Sequence, residues 1–302
     1  MTYGGIRWTR LKEFAPAAAM IAAMIAAAVT AATIPHAPPA EKPVTAPAPA
    51  AQPEAKPEEA PSTDVSIEVN IPATELTLFE GGGPLFRRKV AIGQGVYPTP
   101  EQESFIKRVE WNPWWFPPPN APWARGAKPT PPGPGNPLGM VKMPLSEEIL
   151  FHGTNKEWSV GRAASHGCMR MLNRDATELA WYLQERFSEK RDPALRDLYA
   201  KNRGTTYRVE LTTPVPVTIV YRPVLARNDL LTFYPDHYNR VAGRHKAAII
   251  TELLRAGYEI DGLDEVLVDR LAGSWPQGVE VPIEKLMRMR PPPDLSEAAI
   301  CD

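Results

Sequence analysis

Two of the chain's five histidines and one of its two cysteines fall within the stretch His152 to Met171, HGTNKEWSVGRAASHGCMRM. A thiol beside imidazoles can do two kinds of chemistry. As a thiolate it attacks carbonyl carbon. As one of three ligands, with His152 and His166, it could hold zinc and leave a fourth position for water, as in a metal hydrolase. Twelve residues separate His152 from Ser165, which opens the run Ser165-His166-Gly167-Cys168. Cys168 lies just before a segment that reads as a helix. Positive potential at a helix N-terminus, together with a neighbouring histidine, predicts a thiol that ionises readily. Gly167 permits a backbone shape that exposes the sulfur and lets N–H groups converge on an oxyanion. The zinc reading is the weaker, because no carboxylate stands beside the His-x-Cys pair in the pattern familiar from zinc enzymes. Many free cysteines are merely buried apolar thiols, but the flanking His-Gly and Arg oppose that here.

Such residues need rigid elements to hold them. From Val65 the hydrophobic period becomes two: Val65, Ile67, Val69 and Ile71 alternate with Ser66, Glu68 and Asn70, which predicts a half-buried strand. The runs ELTLF and LFRRKVAI meet across Gly81, Gly82 and Gly83, which predicts a hairpin. Further strands are expected at 148–151, ending beside His152, at TTYRVEL from Thr205, and at VPVTIVY from Val215. Asn173 is expected to cap a helix running to about Phe187, with Ala176, Leu179, Ala180 and Leu183 on one face. After about Tyr234 the pattern turns helical. Ala247, Ile250, Leu253 and Leu254, then Leu263, Val266, Leu267 and Leu271, mark a helical hairpin packed on the β domain. It carries His237 and His245, to which no role is assigned.

Composition limits the partners. A net charge of -1 without a long Lys/Arg run leaves no electrostatic footprint for nucleic acid. At the N-terminus, Arg7, Arg10 and Lys12 precede an uncharged run from Phe14 to Ile34, the layout of an export signal or an uncleaved membrane anchor over 1–34. Nine prolines between Pro35 and Pro61 predict a disordered Pro/Ala-rich linker over 35–64. At about 3.1 Å per residue its proline-dense part could reach roughly 80 Å from a membrane. Cys301 is expected in a flexible tail, unpaired with Cys168. A second block, Trp111 to Pro137, holds four tryptophans among ten prolines. It reads either as a rigid surface loop or as a lid over Cys168.

The motif HGT, its spacer and SHGCMRM together resemble the signature of the L,D-transpeptidases, the YkuD-type domain that remodels bacterial peptidoglycan, in the form of Gram-negative-like members. The resemblance runs from about Val65 to Tyr221 and takes in IGQGVYPTP, NPWW followed by prolines, and GPGNPLGM. It implies a mainly β sandwich or barrel over 65–223 with a helix after the cysteine, and the helical periodicity beyond it makes 224–302 a helical extension. Carried over residue by residue, the resemblance makes Cys168 the nucleophile, His152 its base, and the Gly153 carbonyl the group that orients the imidazole. Ser165 and His166 would brace the site, with Gly167, Arg170, Trp114 and Trp115 facing substrate. The Arg170 fork matches a carboxylate. Two departures stand out: the glycine usual soon after the TP pair is absent in TPEQESF, and no peptidoglycan-binding module is evident.

The implied reaction is acyl transfer. Cys168 would attack the carbonyl of the third stem residue and expel D-alanine, and an amine would resolve the thioester. That amine would belong to a second stem peptide, an envelope lipoprotein or a free D-amino acid, and water would give a hydrolase instead. No cofactor and no metal are implied. The expected partners are peptidoglycan stem peptides, with membrane contact only through the N-terminal segment and a periplasmic or envelope location. The competing reading from another class is a non-enzymatic wall-binding protein, told apart by the absence of thiol-dependent turnover.

Overall fold

Alternation of apolar side chains builds the first layer. The structure, a computed structural model, describes residues 63–287. The expected export segment, nearly all of the linker, and Cys301 lie outside the described residues. Strand β1 (Val65–Asn70) buries Val65, Ile67 and Val69 and pairs antiparallel with β2 (Glu75–Glu80), which pairs with β3 (Gly83–Lys89). The chain then adds β4 (Ile92–Gly93), the long β5 (Gln102–Trp111), β6 (Val141–Pro144), β7 (Leu150–His152), β8 (Ala163–Ser165) and β9 (Met169–Arg170). Helices α1 (Asn173–Phe187) and α2 (Ala194–Lys201) follow, and β10 (Tyr207–Val220) returns through the middle.

One eight-stranded sheet results, in the order β3-β2-β1-β10-β5-β6-β7-β9, with β4 and β8 paired beside it. The fold is therefore mainly β. The two strands expected at TTYRVEL and VPVTIVY are one, β10, with a register shift between Glu210 and Val215 where Pro214 interrupts the ladder. Along α1, Ala176, Leu179, Ala180 and Leu183 are buried as one face against β10, β6 and β7. Phe151, Met143, Met169 and Met171 fill the space near the β7–β9 pair, and all are fully buried. Each such side chain stabilises the fold by about 1.5–3 kcal/mol. They fix the strands that carry His152 and Arg170.

The region after residue 223 departs from the helical expectation. Strands β11 (Val224–Arg227) and β12 (Leu230–Phe233) form a hairpin, and β13 (Glu280–Pro282) joins β12 to complete a three-stranded sheet. Asn228 and Asp229 both have positive φ, the geometry of a tight hairpin turn. Helices α3 (His245–Arg255) and α4 (Glu265–Ser274) are present and cover this sheet with a second apolar cluster. Their buried faces differ from the expected ones. Ile249, Leu253 and Val268 point inward, whereas Leu254 and Val266 are exposed. Among the described residues no helix is long and apolar enough to cross a membrane.

Candidate active site

Strand register explains why a histidine and a cysteine so far apart in sequence belong together. β7 and β9 run parallel, with His152 opposite Arg170 and Phe151 opposite Met169. Cys168 ends the turn that leads directly into β9, one residue before the Met169 that pairs with Phe151. Phe151 and Met169 point into the core.

His152 is buried, and its Nδ1–H donates to the Gly153 carbonyl at 2.5 Å, which leaves Nε2 as an acceptor. Burial, then Arg170, pushes its pKa down to about 3, although the Gly153 bond opposes the shift. Gly153 is required by close approach: a Cβ there would lie 2.2 Å from Asn173 Oδ1. Asn173 is thus not a helix cap. Leu172 takes the cap position without a side-chain bond, and Asn173 ties two loops together by accepting the Met140 N–H and donating to the Thr154 carbonyl.

The turn that carries the sulfur is pinned by hydroxyls. Ser165 Oγ donates to the Cys168 carbonyl at 2.6 Å and accepts the Gly167 N–H at 3.2 Å. Thr99 Oγ1 donates to the Gly167 carbonyl at 2.7 Å. Gly167 itself sits at φ 114°, which a side chain rarely tolerates. Since Ser165 takes its N–H, Gly167 does not offer an amide to an oxyanion. The Cys168 N–H has no acceptor among the described residues.

The thiol is not the readily ionised group that the helix argument predicted. Burial pushes the Cys168 thiol up, more than Arg170 pulls it down, and α1 begins too late in the chain to help. The thiol donates to the Glu148 carbonyl at 3.2 Å. Arg170 donates to the Ala164 carbonyl and has no acidic partner among the described residues, so its charge acts on Cys168, His152 and His166.

Aromatic rings frame His166. Trp123 stacks on it with centroids 4.1 Å apart and planes at 12°, and the Tyr97 ring lies 5.1 Å from it, tilted at 57°. Trp123 comes from the proline block, but it was not among the residues named from sequence. Trp114 instead stacks on Phe116, and the Trp115 backbone bridges to Thr130 within the block. Trp111 ends β5 in the core, its Nε1–H bonded to Gln184. His166, set against these rings, does not complete a metal cage: among the described residues no three His, Cys, Asp or Glu side chains are grouped to hold an ion.

The domain is mainly β, with His152 ending one short strand and Cys168 in the turn just before its parallel neighbour. Residues 64–217 match the YkuD family, the L,D-transpeptidase catalytic domain, and the chain belongs to that family. It is similar to the putative L,D-transpeptidase YkuD of Bacillus subtilis, 32% identical over 113 residues, or 37% of this chain and 56% of that protein. It is also similar to the probable L,D-transpeptidase ErfK/SrfK of Salmonella typhimurium, 26% identical over 165 residues, 47% of this chain and 53% of that one. The chain spans about half the length of these curated relatives. Among solved structures, an L,D-transpeptidase from Mycobacterium smegmatis superposes with a TM-score of 0.36 at 16% identity, covering 52% of this chain and 58% of that one.

Proposed function

We propose that the protein is an exported peptidoglycan L,D-transpeptidase working through a Cys168 thioester. The observation that supports this reading is an uncharged, Gly153-oriented His152 on β7, whose parallel partner β9 begins one residue after Cys168. His152 Nε2 takes the thiol proton as Sγ bonds to the carbonyl carbon of the third stem residue. The oxyanion that forms is met by the Cys168 N–H. Collapse breaks the bond to D-alanine, whose amine leaves with the proton from His152, and a thioester remains. An amine acceptor then attacks, the thiol leaves and is reprotonated, and a new amide is released. In this reading Arg170 favours the thiolate and meets an anionic group of the substrate. The proline block closes over the rim, with Trp123 on His166 as its contact.

Export and a periplasmic or envelope location follow from the charged and apolar pattern of 1–34 and the linker of 35–64, with 65–223 as the catalytic domain and 224–302 as an extension. The experiment is incubation with disaccharide-tetrapeptide, with and without an amine, read by mass spectrometry. The parent releases D-alanine and forms a new amide, and Cys168→Ala does neither. Product formation surviving in Cys168→Ala would overturn the proposal, and loss of D-alanine without amide formation would make the protein a hydrolase.

A further inference from the structure

The segment between β12 and α3 reaches back to the turn that holds Cys168. Tyr238 Oη donates to the Gly93 carbonyl at 2.8 Å and accepts the Thr99 N–H at 3.0 Å. Its hydroxyl therefore closes the loop 93–99 into a ring. Inside that ring Thr99 is fully buried. Its Oγ1 accepts the Gly93 N–H at 2.9 Å and passes its own proton to the Gly167 carbonyl at 2.7 Å.

The Gly167 carbonyl and the Cys168 N–H belong to one peptide unit. That unit is planar and trans, so its C=O and N–H point in opposite directions. Fixing the carbonyl fixes where the N–H aims. Gly167 has no side chain to restrain the unit from its own side, and its φ of 114° lies where the backbone has little steric guidance without a Cβ. Ser165 holds the peptide units on either side, but the bond to this unit itself comes from Thr99, and Thr99 is held by Tyr238.

Tyr238 is itself tied down. Its N–H donates to Tyr221 Oη at 2.8 Å, and Tyr221 donates to Asp236 Oδ1 at 2.5 Å. Asp236 also accepts the Arg240 and Val241 N–H groups, and the Arg240 guanidinium lies over both tyrosine rings while pairing with Glu101. Burial pushes the Tyr238 hydroxyl up, so it keeps the proton that it donates.

We infer that Tyr238 is a positioning residue supplied by the region after residue 223: through Thr99 it sets the direction of the Cys168 N–H towards the developing oxyanion. This rests on the acyl-transfer reading above. The relay touches no substrate, so its loss alters the rate of the acyl step and leaves binding alone.

The test compares two reactions at the same sulfur. Acylation by a carbapenem or by the tetrapeptide donor builds an oxyanion, whereas alkylation by iodoacetamide does not. Deleting an oxyanion donor outright costs about 100- to 1,000-fold, so misaiming one is expected to cost on the order of 10- to 100-fold. Tyr238→Phe should lower kcat and the carbapenem acylation rate by that amount, with KM and the iodoacetamide rate near the parent's. Thr99→Val should reproduce the pattern, Thr99→Ser should recover most of the loss, and the Thr99→Val/Tyr238→Phe pair should lose little more than either alone. Acylation at the parent rate in Tyr238→Phe, equal losses in acylation and alkylation, or additive losses in the pair would overturn the inference. A parent that never acylates Cys168 would overturn the acyl-transfer reading itself, and so the two failures are distinguishable.

Discussion

At His152 the protein keeps a base uncharged by burying it beside a cation. An exposed imidazole titrates near 6.5, but here burial and Arg170 push the value down to about 3. Burial pushes the thiol up, so the resting pair is neutral imidazole and neutral thiol, and the proton moves as the carbon–sulfur bond forms. The kcat/KM for donor cleavage should therefore show no acid limb near pH 6.5 and should rise towards the alkaline range of the thiol. A bell with its acid side near 6.5 would contradict this. Arg170→Gln removes the nearby cation that favours thiolate, and should move the rise to still higher pH. The same burial affects stability. Unfolded His152 takes up a proton below about 6.5, whereas the folded one does so only near 3, so the unfolded state binds more protons in that window. Folding stability should fall as pH drops through it, and His152→Gln should flatten the fall in denaturant titrations run at several pH values.

The proline block shows an element whose order comes from side chains. Prolines have no N–H to satisfy neighbouring carbonyls. Asn136, buried, donates to the carbonyls of Pro113, Thr130 and Pro131, and Asn112 clamps the base by donating to the carbonyls of Tyr199, Asn202 and Thr205. The loop is therefore firm enough to present Trp123 to His166. Trp123→Ala should lower kcat/KM for the tetrapeptide donor by roughly 5-fold, in line with about 1 kcal/mol for an aromatic pair, without changing iodoacetamide labelling of Cys168. Parent kinetics in that variant would mean that the stack is packing only. The strand of Val65–Asn70 and the helix of Asn173–Phe187 were legible in the sequence because each is long enough to repeat its period. β4 and β9 are two residues each, too short to carry a pattern, yet β9 sets the site's register. β11 and β12 had a signal in Asn228-Asp229, a turn pair that the helical pattern further on overshadowed. Thr99 and Trp123 stood inside motifs already singled out, IGQGVYPTP and the proline block, but the contacts they make there, and Tyr238 altogether, had no signal, because they join distant segments.

Across the whole of the described chain, two apolar clusters meet at a polar seam. One fills the eight-stranded sheet and α1, the other fills the three-stranded sheet, α3 and α4. Between them Arg222 pairs with Glu68, Arg227 Nη1 lies 3.1 Å from Glu75 Oε1, and Asn70 exchanges two hydrogen bonds with the Arg222 backbone. A seam of charges and amides couples two cores less firmly than continuous apolar packing does, since the desolvation of part-buried ion pairs offsets much of their attraction. The second cluster can therefore loosen while the first stays folded, and Tyr238 lies on the path between them. Leu253 is fully buried in the second cluster, and Leu253→Ala should cost about 2–5 kcal/mol there. Hydrogen exchange should then speed up over 224–287 while β1, β5 and β10 keep their protection. Acyl transfer should fall along with it, and iodoacetamide should still label Cys168 at the parent rate, because the sulfur's own strand pair is untouched. Uniform loss of protection over both clusters would show instead that the molecule unfolds as one cooperative unit and that the seam is no weaker than the cores it joins.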